Sequence, residues 1–101
     1  MHARLVTGSI VPDKLDEAIR LWRETVAPSV RQQSGFRGAR LLVQRETGKV
    51  ASMGLWETEA NVQGTIEWNE EQIAKFASFF TAPPAWSIMS LLPKCECVLA
   101  V

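Results

Sequence analysis

Metal-binding and redox residues are scarce in this chain. It has one histidine, His2, no tyrosine, and two cysteines, Cys95 and Cys97. The C-x-C pair falls in a segment that reads as a strand, where residues two apart share a face with Cα atoms about 6.5–7 Å from each other. That separation is at or beyond disulfide reach, and a structural metal would need further Cys or His ligands. The pair therefore reads as two buried, reduced thiols in a chain without a bound metal, and the setting as the cytoplasm, a reducing compartment. Charge of one sign is missing too. Lysine plus arginine equals aspartate plus glutamate at 11 each, which argues against nucleic acid or an anionic membrane as partner, since both call for clustered positive charge. No apolar run approaches the roughly 20 residues of a membrane span, and Met1-His2-Ala3-Arg4 does not open a secretory signal.

What is present is the composition of a globular domain: 47% apolar and 22% charged residues over 101 positions. That length is one domain, 1–101, long enough to fold without staples but with little excess stability. A balanced charge also leaves self-association unopposed.

Residues 3–11 are rich in β-branched and apolar types and predict a strand. Pro12 suits a first helical turn, and Asp13, Asp16 and Glu17 favour a helix N-terminus. Leu15, Ala18, Ile19, Trp22, Val26 and Val30 then mark one helix face, with Asp16–Arg20 and Arg20–Glu24 as ion pairs on the wet side. Pro28 predicts a bend or interruption, and Gly35 a stop. Residues 36–46 and 49–57 predict two strands joined at Thr47-Gly48 into a hairpin. Thr58 is a good N-cap. Asn69-Glu-Glu-Gln72 resembles a capping box, so the second helix reads as broken, 58–66 and then 69–80, ending before Pro83-Pro84. Residues 85–92 fit either a short helix or extended chain. Residues 94–101 alternate as a fourth strand.

The order β-α-β-β-α-β predicts an α+β, ferredoxin-like fold: a four-stranded antiparallel sheet with both helices on one face. Helices cover one face only, yet the strands are apolar on both. Leu41 and Val43 alternate with Phe36 and Leu42, and Met53 and Leu55 alternate with Val50 and Trp56. A sheet with a wet face alternates apolar with polar, so a second copy packed sheet to sheet is expected, giving a homodimeric α+β barrel.

Gly35-Phe-Arg-Gly38, the Leu41-Leu-Val43 run, the Thr47-Gly-Lys49 turn and Leu55-Trp-Glu-Thr-Glu-Ala60 together resemble the antibiotic biosynthesis monooxygenase-like domain over nearly the whole chain. The resemblance implies a dimeric α+β barrel. It also points to one of several activities, including cofactor-independent oxygenation of aromatic polyketides or quinols and haem degradation. Val6-Thr-Gly-Ser-Ile10 resembles the haem-degrading members, but these carry asparagine where Gly8 stands and take an iron-ligating histidine from the second helix. Residues 58–80 contain no His, Cys, Tyr or Met, so haem is not expected.

Cofactor-independent oxygenation requires an apolar pocket, a proton acceptor and a donor for the developing oxyanion. Trp56 and Asn61 resemble pocket positions of the oxygenases. Trp68 and Trp86 add candidate aromatic wall, and Arg40 is a candidate partner for an enolate. The tyrosine that some of these oxygenases use as a proton relay is absent. Each residue also has a plainer role: Trp56 as a core anchor, Asn61 as a solvated first-turn residue, Trp22 as core, and Arg37, Arg40 and Arg45 as guards of an edge strand. The expected function is oxidation of a small aromatic or quinol substrate with no cofactor; the alternative is a non-catalytic domain that binds a small hydrophobic ligand or dimerises.

Overall fold

Strand β1 (His2–Ser9) lies inside a four-stranded antiparallel sheet of order β2-β3-β1-β4, in a computed structural model that describes residues 1–92. Its neighbours are β3 (Lys49–Trp56) and β4 (Ala85–Ser90), while β2 (Phe36–Gln44) forms the far edge. This is the ferredoxin-like arrangement. The expected strand at 94–101, with both cysteines, lies outside the described residues. The fourth strand seen is β4, in the segment for which helix and extended chain were both open. There Trp86 and Ile88 stand opposite Val6 and Arg4, so the alternation of the segment serves a sheet edge.

The pleat assigns the faces. Arg4, Val6, Ser52, Gly54, Leu41 and Val43 point toward the helices. Leu5, Met53, Leu55, Leu42 and Met89 alternate with that set on the opposite face, where Leu42 and Met89 are exposed. The two-sided apolar pattern is therefore real, with one correction. Phe36 packs on the helix side against Trp56, because a bulge between Phe36 and Gly38 shifts the register and reverses the parity of the strand.

The first helical stretch starts with a 3₁₀ turn, Pro12–Lys14, and continues as α1 (Leu15–Leu21), a π-helical turn (Trp22–Val26) and α2 (Ala27–Val30). Pro28 does not interrupt it. Proline has no N–H to donate and crowds the preceding turn; the helix widens just ahead of it, where the Ala27 N–H reaches back to the Trp22 carbonyl. Asp16 pairs with Arg45 of the hairpin loop at 2.8 Å instead of with Arg20.

In the second helical region Thr58 caps α3 (Glu59–Gln63) as expected, its hydroxyl accepting the Asn61 N–H at 3.1 Å. The break, however, falls at Gly64-Thr65, and α4 (Ile66–Lys75) runs through Asn69 and Gln72. These two residues do not form a capping box. They are interior helical positions with buried side chains.

The hairpin loop, 45–48, depends on Gly48, which has φ +80° and receives the Ile10 N–H on its carbonyl at 2.8 Å. A Cβ there would stand 2.0 Å from the Ile10 carbonyl oxygen. Gly48→Ala is expected to cost about 1–3 kcal/mol through backbone strain plus this clash. A urea midpoint within error of the parent would refute it.

Candidate functional site

Between the sheet and the helices lies a cavity of about 100 Å³. One end is apolar, lined by Ile10, Leu15, Ile19, Leu41, Val50 and Phe76 from both layers. The other end is polar and is built from β1, β3 and α4.

Arg4 is the centre of the polar end. Its position in the strand turns it toward the helices, and only 4% of the residue is exposed. A guanidinium N–H of Arg4 donates to Thr65 Oγ1 at 2.5 Å, and that hydroxyl donates onward to the Val62 carbonyl at 2.7 Å. The guanidinium carbon lies 4.8 Å from the Trp56 ring centroid and 5.6 Å from that of Trp68. Two indole faces thus attract the cation without cancelling its charge. Among the described residues no carboxylate pairs with it. Burial lowers its pKa from 12.5 to about 10, because desolvation disfavours the charged form; at neutral pH it remains a cation.

Two local features hold this arrangement. Gly54 stands opposite Arg4 in the β1–β3 register. A Cβ on Gly54 would lie 2.5 Å from the Trp56 indole, so the missing side chain is what lets that ring fold back toward Arg4. Trp68 is tethered by its Nε1, which donates to Ser29 Oγ at 2.6 Å.

The same cavity is lined by residues with further donors that lack an acceptor among the described residues. Trp22 Nε1, Trp56 Nε1 and Asn69 Nδ2 are buried and have no partner among the described residues, and all three residues line the cavity. Buried N–H groups are nearly always satisfied, so each calls for an acceptor that the described protein groups do not supply. Arg4 is the only ionisable group among the described lining residues. The cavity thus combines one buried positive charge with neutral polar side chains, a lining complementary to an anionic or strongly accepting oxygen. Nor do the described residues gather three or more His, Cys, Asp or Glu side chains at one place, and none of their helices is long and apolar enough to cross a membrane.

Residues 1–65 match the family described as antibiotic biosynthesis monooxygenase. The chain belongs to that family. Solved structures agree on the fold. A monooxygenase from the gene ActVA-Orf6 of Streptomyces coelicolor, in complex with nanaomycin D, is similar with a TM-score of 0.77 at 19% identity, covering 99% of this chain and 92% of its own. Rv0793 from Mycobacterium tuberculosis is similar with a TM-score of 0.70 at 16% identity, covering 94% and 98%. A conserved protein from Methanosarcina mazei Go1 gives 0.72 at 14%, covering 88% and 91%. No curated protein sequence matches the chain.

Within this monooxygenase-family fold, the residues singled out from sequence divide in two. Trp56 and Trp68 line the cavity. Arg40, Asn61 and Trp86 do not. Arg40 is exposed on the sheet face opposite the helices and donates to the carbonyl of Ala39 at 2.9 Å. Asn61 uses its Oδ1 to accept from the Thr58 N–H at 3.2 Å, completing the cap of α3. Trp86 lies on edge strand β4 and is 36% exposed. Sequence reading missed Arg4, Asn69 and Gln72. Two signals pointed to them: the period-2 position of Arg4 beside Val6, and the helical stripe Thr65, Asn69, Gln72, Phe76.

Proposed function

We propose that this domain is a cofactor-independent monooxygenase acting on a small aromatic or quinol substrate, in a cavity walled by Trp56 and Trp68. The observation that carries the reading is the buried cation Arg4 in a cavity whose lining residues Trp22, Trp56 and Asn69 also hold N–H groups with no acceptor among the described residues, set beside apolar walls that suit a ring. A cation beside a phenol lowers its pKa and favours the phenolate. Fixed donors aimed at the developing oxyanion stabilise it in a site shielded from water. The phenolate is electron-rich at ring carbon and transfers electrons to O₂. One oxygen atom enters the ring, the other leaves as water, and a hydroxyarene becomes the quinone. Both electrons and protons come from the substrate, so no added reductant is required.

A homodimer is part of this reading, with a second copy covering the apolar sheet face. A second reading is binding without turnover. It is favoured by the lack of any carboxylate or imidazole among the described lining residues, which leaves proton removal to water.

Incubation with a dihydroxynaphthalene, following oxygen uptake and quinone absorbance, separates the two. The expected result is protein-dependent uptake of one O₂ per quinone formed with no hydrogen peroxide released, since one oxygen atom enters the ring and the other leaves as water. No rate above background, alongside saturable tryptophan quenching, would leave only the binding reading.

A further inference from the structure

The donors of the cavity lining differ in kind. The indole and amide N–H groups are neutral and serve any acceptor, a quinone carbonyl as well as a phenolate. Arg4 is different, because a buried cation without a carboxylate partner gains far more from an anion than from a neutral acceptor. Thr65 fixes its direction, with the hydroxyl already engaged at both ends by Arg4 and the Val62 carbonyl. Trp56 and Trp68 lie near its guanidinium within cation–π range. The side chains from β1, β2, β3, the first helical stretch and α4 that line the cavity include no second ionisable group; outside the lining, His2 stands two residues along β1 on the same face, opposite Trp56. Size adds a second constraint. A dry cavity of about 150 Å³ accommodates benzene, and this one, of about 100 Å³, is of a size that suits a small aromatic ligand.

We infer that Arg4 is the specificity-determining residue of this cavity, and that it selects a small aromatic ligand carrying an anionic oxygen over the same ligand in neutral form. The inference names the ligand class for the site proposed above and rests on that cavity being a ligand site, which the oxygenase and binding readings share. Two sources supply such an oxygen, a phenolate and an aromatic carboxylate.

Three probes test it: 4-nitrophenol, its neutral methyl ether 4-nitroanisole, and 4-nitrobenzoate, each titrated by tryptophan quenching on the full chain. The wild type is expected to bind 4-nitrophenolate or 4-nitrobenzoate at least about tenfold more tightly than 4-nitroanisole, the size of a charge-assisted hydrogen bond. The tighter of the two anions identifies the source. Bound 4-nitrophenol is expected to ionise at lower pH than the free probe, visible as phenolate absorbance. The preference should hold up to about pH 10, where Arg4 loses its proton, and decline above that, since neutral Arg4 no longer attracts an anion. Arg4→Gln is expected to reduce the preference to about twofold or less while 4-nitroanisole still binds; Arg4→Lys, which keeps the charge, should retain part of it.

Equal binding of anion and ether by the wild type overturns the inference without recourse to any variant, as does a full preference surviving in folded Arg4→Gln. Oxygen uptake is read separately. Turnover without charge preference sinks this inference and leaves the oxygenase reading, whereas charge preference without turnover keeps the inference and removes that reading.

Discussion

Trp56→Ala is expected to destabilise the domain by about 3–5 kcal/mol, the usual cost of truncating a buried tryptophan. Trp56 is 1% exposed. It joins Val30 and Val62 in one half of the core and meets Phe36 edge-on with ring centroids 5.8 Å apart. Removing the indole leaves a void that the sheet cannot close, since Gly54 beside it has no side chain to fill the space. The loss also withdraws one of the two rings that attract the Arg4 cation. In a domain whose total stability is about 5–15 kcal/mol, this is a large fraction, read as a shift in the urea midpoint. Trp56→Phe separates packing from polarity. It keeps most of the apolar area and removes an N–H that has no acceptor among the described residues, so about 1–2 kcal/mol is expected from the smaller volume alone. If phenylalanine cost as much as alanine, the indole N–H would be satisfied in solution and would drop out of the donor set. A loss below about 1 kcal/mol for alanine would remove Trp56 from the core altogether.

The backbone plan was legible because local signals and global packing agree over most of the chain. The hairpin has short apolar runs and a glycine that the turn requires. The first helical stretch has its stripe, and Thr58 has a helix to cap. Where the reading failed, a local preference met a tertiary demand. Asn69 and Gln72 carry the residue types of a capping box, and asparagine does favour N-caps. In the folded chain Gly64-Thr65 has already broken the helix one turn earlier. The two side chains then face a cavity whose burial outweighs their capping preference. Phe36 failed for a different reason: a bulge adds one residue to a strand and inverts every face assignment before it, and no residue type announced it.

Arg4 was hidden by a sound general rule. Arginine is almost never fully buried unless paired, so near a chain terminus it reads as a surface residue. Its burial depends on three distant residues: Trp56 on another strand, Trp68 on α4, and Thr65 ahead of α4. None is a neighbour in sequence. Arg40 had the opposite fate, a plausible site residue by type whose parity in β2 turns it to the face opposite the helices. Both outcomes follow from the period of a strand. A residue's chemistry names what it is able to do, and the pleat decides which chamber it does it in.

The same parity yields the second large expected effect. Leu5→Glu is expected to convert a dimer of about twice the 11.3 kDa chain into a monomer. Leu5 lies on the central strand between Met53 and Ser87, with Leu55, Leu42 and Ala51 on the same face. Covering this face with a second copy takes Leu5 out of water, worth about 1.5–3 kcal/mol per fully buried side chain. A two-fold axis makes each substitution count twice. Glutamate at both copies replaces that gain with two carboxylates in an apolar interface, each costing several kcal/mol. Arg40, on the same face, stands two strands from Leu5, about 9–10 Å away at Cα, so it can reach the new carboxylate and offset part of that cost. Dimer dissociation should therefore strengthen by at least about 100-fold. The isolated subunit should keep its fold, because position 5 faces water once the partner is gone. Light scattering behind a sizing column, with circular dichroism on the same samples, reads both quantities. A wild type that elutes as a monomer at micromolar concentration would remove the paired barrel. A Leu5→Glu variant that stays dimeric would move the interface to another face, and the exposed Leu42 and Met89 would then need a different partner.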